Sequence, residues 1–140
     1  MRLDDRARGG EARATLAGFE LSRPAEPQTI PAFRHRAAAF AAERGAGPDL
    51  VHDVVLAVSE ATTNAVKHAY GAEKPGSVEL SASVEDGWLT LRVSDSGRGF
   101  GAGSSDGLGL GLVIVAGLCD DLKIVQEGSG TEVVMRFVLR

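Results

Sequence analysis

Apolar and polar positions recur along the chain with two distinct periods, and the changes between them mark the elements. From Gln28 to Arg44, Ile30, Phe33, Ala37, Phe40 and Ala41 return at intervals of three and four, which is one apolar face of a helix. Gly45 and Gly47 stop it, and Pro48 opens the next element. A second, clearer helix is predicted from about Pro48 to His68, closed by Gly71 and Pro75. Val51, Val54, Val55, Val58, Ala61, Ala65 and Val66 form its buried side. The period then shifts to two. Val78, Leu80, Ala82 and Val84 alternate with small or polar residues, Asp86-Gly87 is a hairpin signal, and Leu89, Leu91 and Val93 alternate again. Seven glycines lie between Gly97 and Gly111 inclusive, and a helix is predicted to start among them and run to about Leu118. Leu122–Gln126 and Thr131–Leu139 read as strands about the turn Glu127-Gly128-Ser129-Gly130. Phe19-Glu20-Leu21 opens a short strand before Pro24. Together these elements predict an α+β fold: one mixed, mainly antiparallel sheet with helices packed on one face.

Composition narrows the class. A chain of 140 residues suits one domain rather than two. Met1 to Ala17 interleaves charged residues with Gly9 and Gly10 and repeats no apolar face. Residues 1–17 are therefore expected to be a disordered tail, and residues 18–140 the domain. The formal net charge of −4 argues against non-specific nucleic-acid binding, which needs a basic face. The longest apolar run, Ala37 to Ala42, is far short of the roughly 20 residues of a membrane span. Charges from Arg2 onward leave no apolar signal segment. The single cysteine, Cys119, cannot form an internal disulfide, which suits a reducing compartment. A soluble cytoplasmic protein is expected.

Three constellations could carry chemistry. Glu60, Asn64 and His68 are four apart on the second helix, so they share one stripe opposite its apolar side. That stripe is expected to face a cleft or solvent. A carboxylate there can act as a general base, and an Asn carbonyl suits Mg²⁺, a hard cation that prefers oxygen ligands. Taken alone, the stripe reads more simply as a solvated polar face. Asp95-Ser96-Gly97-Arg98-Gly99-Phe100 directly follows a strand. Asp95 could accept a hydrogen bond from an exocyclic amine such as that of adenine, and Gly97 and Gly99 would let the backbone come close to a ligand. An ordinary Asp-Gly turn explains the same residues. Gly107-Leu108-Gly109-Leu110-Gly111-Leu112 runs into an apolar helix, where free amides and the helix dipole favour an anion. Close helix packing at small residues is the alternative.

Other motifs fail. A P-loop needs a glycine before its lysine, and Lys67, Lys74 and Lys123 have none. A dinucleotide GxGxxG fails from Gly107, where Leu112 takes the last position, and from Gly109, where Ile114 does. His35 and His52 lack ligand-spaced partners. Cys119, at an apolar helix end, reads as a core residue.

Taken in order, the three constellations resemble the GHKL ATPase superfamily with its Bergerat ATP-binding fold, and within it the stand-alone anti-sigma factor serine/threonine kinases of bacteria. Glu60-Ala61-Thr62-Thr63-Asn64-Ala65-Val66-Lys67-His68-Ala69-Tyr70 is similar to that family's N-box. The segments at Asp95–Phe100 and Gly107–Ile114 are similar to its two glycine boxes. Cys119-Asp120-Asp121-Leu122 and Gly130-Thr131 are similar to its ending. The resemblance spans about Phe19 to Leu139. It implies ATP and Mg²⁺ as cofactors, with Glu60 as the base and Asn64 holding Mg²⁺. It implies that Asp95 reads the adenine amine, with Gly99 and Thr131 assisting, and that His68, Gly97, Gly107, Gly109 and Gly111 complete the ATP site. A sigma factor and an anti-anti-sigma antagonist are the implied partners, with Arg34 touching sigma and a homodimer as the assembly.

The sequence departs from the family in one place. Phe100 to Asp106, the position of the family's ATP lid, is short, and no Lys or Arg lies between Gly99 and Leu122. Phosphoryl transfer depends on positioning and charge neutralisation. A nucleotide-dependent binding module without phosphotransfer is therefore the alternative function.

Overall fold

The computed structural model describes residues 13–14, 18–69, 76–95, 109–127 and 130–139. In chain order the elements are β1 (Arg13–Ala14), β2 (Gly18–Pro24), α1 (Thr29–Glu43), α2 (Pro48–Ala69), β3 (Ser77–Glu85), β4 (Trp88–Asp95), α3 (Gly109–Leu118), β5 (Asp121–Glu127) and β6 (Gly130–Val138). Local chemistry sets the boundaries. Thr29 Oγ1 donates to the Pro24 carbonyl at the start of α1. Beyond its end Gly45 takes φ +96°, a left-handed geometry that lets the Gly45 and Ala46 amides donate to the carbonyls of Ala42 and Ala41. Pro48 opens α2 at a position whose amide would have no helical partner anyway, and Asp49 sits at the positive end of the dipole. Asp86 and Gly87 take φ 55° and 81°, the two left-handed positions of a tight hairpin turn.

The strands form one sheet in the order β1-β2-β3-β4-β6-β5, and every described ladder is antiparallel. Of the residues expected as a tail, Arg13 and Ala14 pair with Glu20 and Phe19; the others lie outside the described residues. One face of the sheet carries Leu80, Leu91, Val93, Val133, Met135 and Phe137, all buried under the helices. Burying each such side chain contributes about 1.5–3 kcal/mol. α2 lies over β3 and β4, α1 packs chiefly on α2, and α3 packs on α2 and β5. The helical faces agree with the periodicity. Phe33, Ala37, Phe40 and Ala41 of α1 are buried, as are Val54, Val58, Ala61, Ala65 and Val66 of α2. Ile30, Val51 and Val55 are only half-buried, and Ala57 is fully buried although the pattern did not mark it.

The opposite face of the sheet is open and polar. Its hollow of about 410 Å³ is bordered by Glu20, Glu79, Arg92 and Glu132. Near one end Arg136 stacks on Trp88, its guanidinium 4.2 Å from the ring centre. Among the described residues, no helix is long and apolar enough to cross a membrane.

Candidate functional site

The covered face of the sheet, α2 and the first turn of α3 bring the predicted residues towards one another. Asp95 is the last residue of β4 and Thr131 lies at the start of β6. The antiparallel register sets them opposite each other, with Val78 flanking Asp95 on the other side. Both are buried, and both are hydrogen-bonded or otherwise engaged. Their parity matches that of Val93 and Val133, so the pair lies on the side covered by helices. Strand alternation dictates this placement: each second residue of β4 from Leu89 to Asp95 points the same way.

On α2 the stripe of Glu60 and Asn64 faces α3, where it meets Gly111. A methyl group at Gly111 would stand 3.0 Å from Asn64 Nδ2, 3.1 Å from Glu60 Oε1 and 3.5 Å from Asn64 Oδ1. Glu60 is half-buried, whereas Asn64 retains only 5 % of its exposure. The stripe expected to face a cleft or solvent is thus packed at Asn64, because α3 covers it. Helical periodicity shows which residues share a face but not what lies against it.

The chemistry of Asn64 fits a polar ligand. Its Nδ2 is buried with no hydrogen-bond partner among the described residues. An orphaned buried donor costs about 1–3 kcal/mol. The same amide offers a carbonyl oxygen, the kind of donor that Mg²⁺ takes, beside a glycine that spares it the crowding of a Cβ. The first turn of α3 adds its N-terminal amides and the positive end of a dipole. The residues present therefore fit a magnesium-bound polyphosphate. No cluster of three His, Cys, Asp or Glu that could hold a metal exists among the described residues.

Other predicted positions are placed as follows. Gly109 opens α3. His68 lies in the last turn of α2, and its side chain lies outside the described residues, as do Gly97, Gly99, Gly107 and the segment Phe100 to Asp106. Arg34 is half-buried on α1, which packs chiefly on α2. Ser77, Glu79 and Ser94 were not singled out from the sequence. With Asp95 they line a hollow of about 120 Å³ at the end of β4. Strand parity puts those three on the open face, behind Asp95 and away from Glu60 and Asn64. Cys119 is partly buried beside the core and donates to the Val115 carbonyl at 3.2 Å. Burial pushes its thiol up from the ordinary value, and the neighbouring Asp120 charge adds to the rise.

The sheet with its helices on one face is the arrangement expected of the Bergerat-type ATPase domains. Residues 23–137 match the histidine kinase-like ATPase domain, and the chain belongs to this family. Among its curated relatives, a serine-protein kinase RsbW of Bacillus licheniformis is 38% identical over 82 residues, 59% of this chain and 51% of that protein. The RsbW of Bacillus subtilis is 37% identical over the same shares. The chain thus spans about half the length of the curated relatives it matches. A crystal structure of the RsbU and RsbW domains of a Mycobacterium tuberculosis protein superposes with a TM-score of 0.72 at 25% identity, covering 91% of this chain and 34% of that one.

Proposed function

We propose that the chain is an ATP-dependent anti-sigma factor with serine/threonine protein kinase activity, acting in the cytoplasm. In this reading it sequesters a sigma factor and phosphorylates an anti-anti-sigma antagonist. The observation that carries it is the buried Asn64 amide, its nitrogen without a hydrogen-bond partner among the described residues, set with Glu60 against Gly111 on α3. The relatives' description as serine-protein kinases supports phosphotransfer over a module that only binds nucleotide.

The roles are those that the resemblance to the family implies. Asp95 accepts from the adenine amine while Thr131 assists beside it. Gly97, Gly99, His68, Gly107, Gly109 and Gly111 belong to the ATP site by their places in the family's motifs, within one ATP-binding domain over residues 18–140. Asn64 would hold Mg²⁺ through its carbonyl oxygen, and the cation would supply charge neutralisation at the phosphates. Glu60 accepts the proton of a serine or threonine hydroxyl as that oxygen bonds to the γ-phosphorus. The bond from this phosphorus to the β–γ bridging oxygen breaks, and ADP leaves. Arg34 on α1 is the proposed sigma contact, and a homodimer the proposed assembly.

Transfer of labelled phosphate from ATP to the cognate antagonist tests the reading. Wild-type protein yields a phosphoserine or phosphothreonine product, and Glu60→Ala does not. No product from wild type with a tightly bound antagonist would leave only the binding module.

A further inference from the structure

Gly111 sits inside a helix, where glycine is about 1 kcal/mol less favourable than alanine. Its φ is not among the positive values found at Gly45 and Gly87, so backbone freedom does not explain it. Space does. Near its other end the same helix holds Gly117, around which a methyl group would meet nothing within 4 Å. At Gly111 it would meet both polar side chains of the α2 stripe, at 3.0 and 3.1 Å. Such distances require the neighbours to give by a few tenths of an ångström. Glu60 ends a flexible, half-exposed side chain and can move aside. Asn64 is enclosed and cannot move without turning its amide.

We propose that Gly111 is a positioning residue: its missing side chain sets the clearance between α3 and α2 that holds the Asn64 amide in its ligating orientation beside Glu60. This rests on the reading of Asn64 as the Mg²⁺ ligand. It gives Gly111 a task distinct from touching phosphate, and one that acts on a single half of the site. The atoms nearest a methyl group at Gly111 belong to Asn64 and Glu60, not to Asp95 or Thr131 at the strand ends.

Calorimetric binding of adenosine, and of ATP with and without Mg²⁺, separates the two halves in wild type, Gly111→Ala and Gly117→Ala. Both variants exchange glycine for alanine in one helix, so helix propensity changes alike. A misplacement of about 1 Å at a reacting centre can cost on the order of 100-fold, so a shift of a few tenths should cost about fourfold. Gly111→Ala is expected to lower the Mg²⁺-dependent gain in ATP affinity by about that factor and leave adenosine binding unchanged. Gly117→Ala is expected to leave both unchanged. In the nucleotide-free protein, the Asn64 side-chain amide resonance, assigned through Asn64→Ser, should move in Gly111→Ala and stay in Gly117→Ala.

An unmoved resonance or a full Mg²⁺ gain in Gly111→Ala overturns the proposal, as does equal loss of adenosine and MgATP. Wild-type protein that binds adenosine but gains nothing from Mg²⁺ overturns the ligand role of Asn64 itself. That outcome is distinct, because the amide resonance still reports whether Gly111 sets the contact.

Discussion

Asp95 and Thr131 stand opposite each other across the β4–β6 ladder, both buried on the side of the sheet that the helices cover. In the proposed function Asp95 accepts from the adenine amine and Thr131 assists, and that role sets three expectations. Hydrogen bonds to a charged group are worth about 1.5–3 kcal/mol. Asp95→Asn is expected to weaken ATP at least tenfold, about 1.4 kcal/mol. It should also narrow the preference for ATP over GTP, because an Asn amide can donate to the guanine carbonyl. Thr131→Val is expected to cost less, about 1 kcal/mol. Titration calorimetry with both nucleotides reads these changes. An unaltered ATP-to-GTP ratio in Asp95→Asn would remove Asp95 from base recognition.

Thr62 makes a second, opposite case. It is fully buried, and its hydroxyl has no hydrogen-bond partner among the described residues. Thr62→Val keeps the branched shape and removes the unpaired hydroxyl, so it is expected to raise stability by about 1 kcal/mol. Urea unfolding would show a higher midpoint at constant slope. A lower midpoint would mean that the hydroxyl is satisfied.

Gly18 is required for close approach. A methyl group there would run into the carbonyl of Ala82 on β3, which is backbone and cannot swing away. Gly18→Ala is expected to destabilise by at least about 2 kcal/mol as β2 is forced off β3. Thermal unfolding checks this, and an unchanged midpoint would show that the β2–β3 ladder absorbs the methyl group.

The raised thiol of Cys119 has a signed consequence. The folded protein holds that proton more tightly than the unfolded chain. The resulting stability is complete below the unfolded thiol value and is lost as pH rises through the higher folded value. As pH rises above about 8, wild type should lose stability relative to Cys119→Ala, measured as the difference between their urea midpoints. Folded protein should also react more slowly with iodoacetamide than unfolded protein does. Parallel midpoints across that range would contradict the assignment.

The helices and hairpins were legible because their stop signals are local. Gly45 closes α1, Pro48 opens α2, and Asp86-Gly87 turns β3 into β4 through residues whose conformational preferences need no tertiary context. The site was legible in composition but not in assembly. Glu60 and Asn64 announce a shared stripe by spacing alone. That Gly111 lies against them is a contact between distant parts of the chain, which no local period encodes. The same limit hid the pairing of Arg13 and Ala14, too short for a period, and the burial of Val134 on the otherwise open face of the sheet.

The strand order carries a consequence for synthesis on the ribosome. β4 leaves the exit tunnel with β3 already beside it, but its other edge is filled by β6, which follows α3 and β5. Among the described residues β5 has β6 as its only strand neighbour, so it too must wait. Until Gly130–Val138 emerge, the nascent chain shows an unpaired edge along Trp88–Asp95, and Asp95 faces no Thr131. Closing such distant pairings is slow and leaves edges open to wrong partners. The pairing of Asp95 with Thr131 arrives with the strand that also seals the sheet.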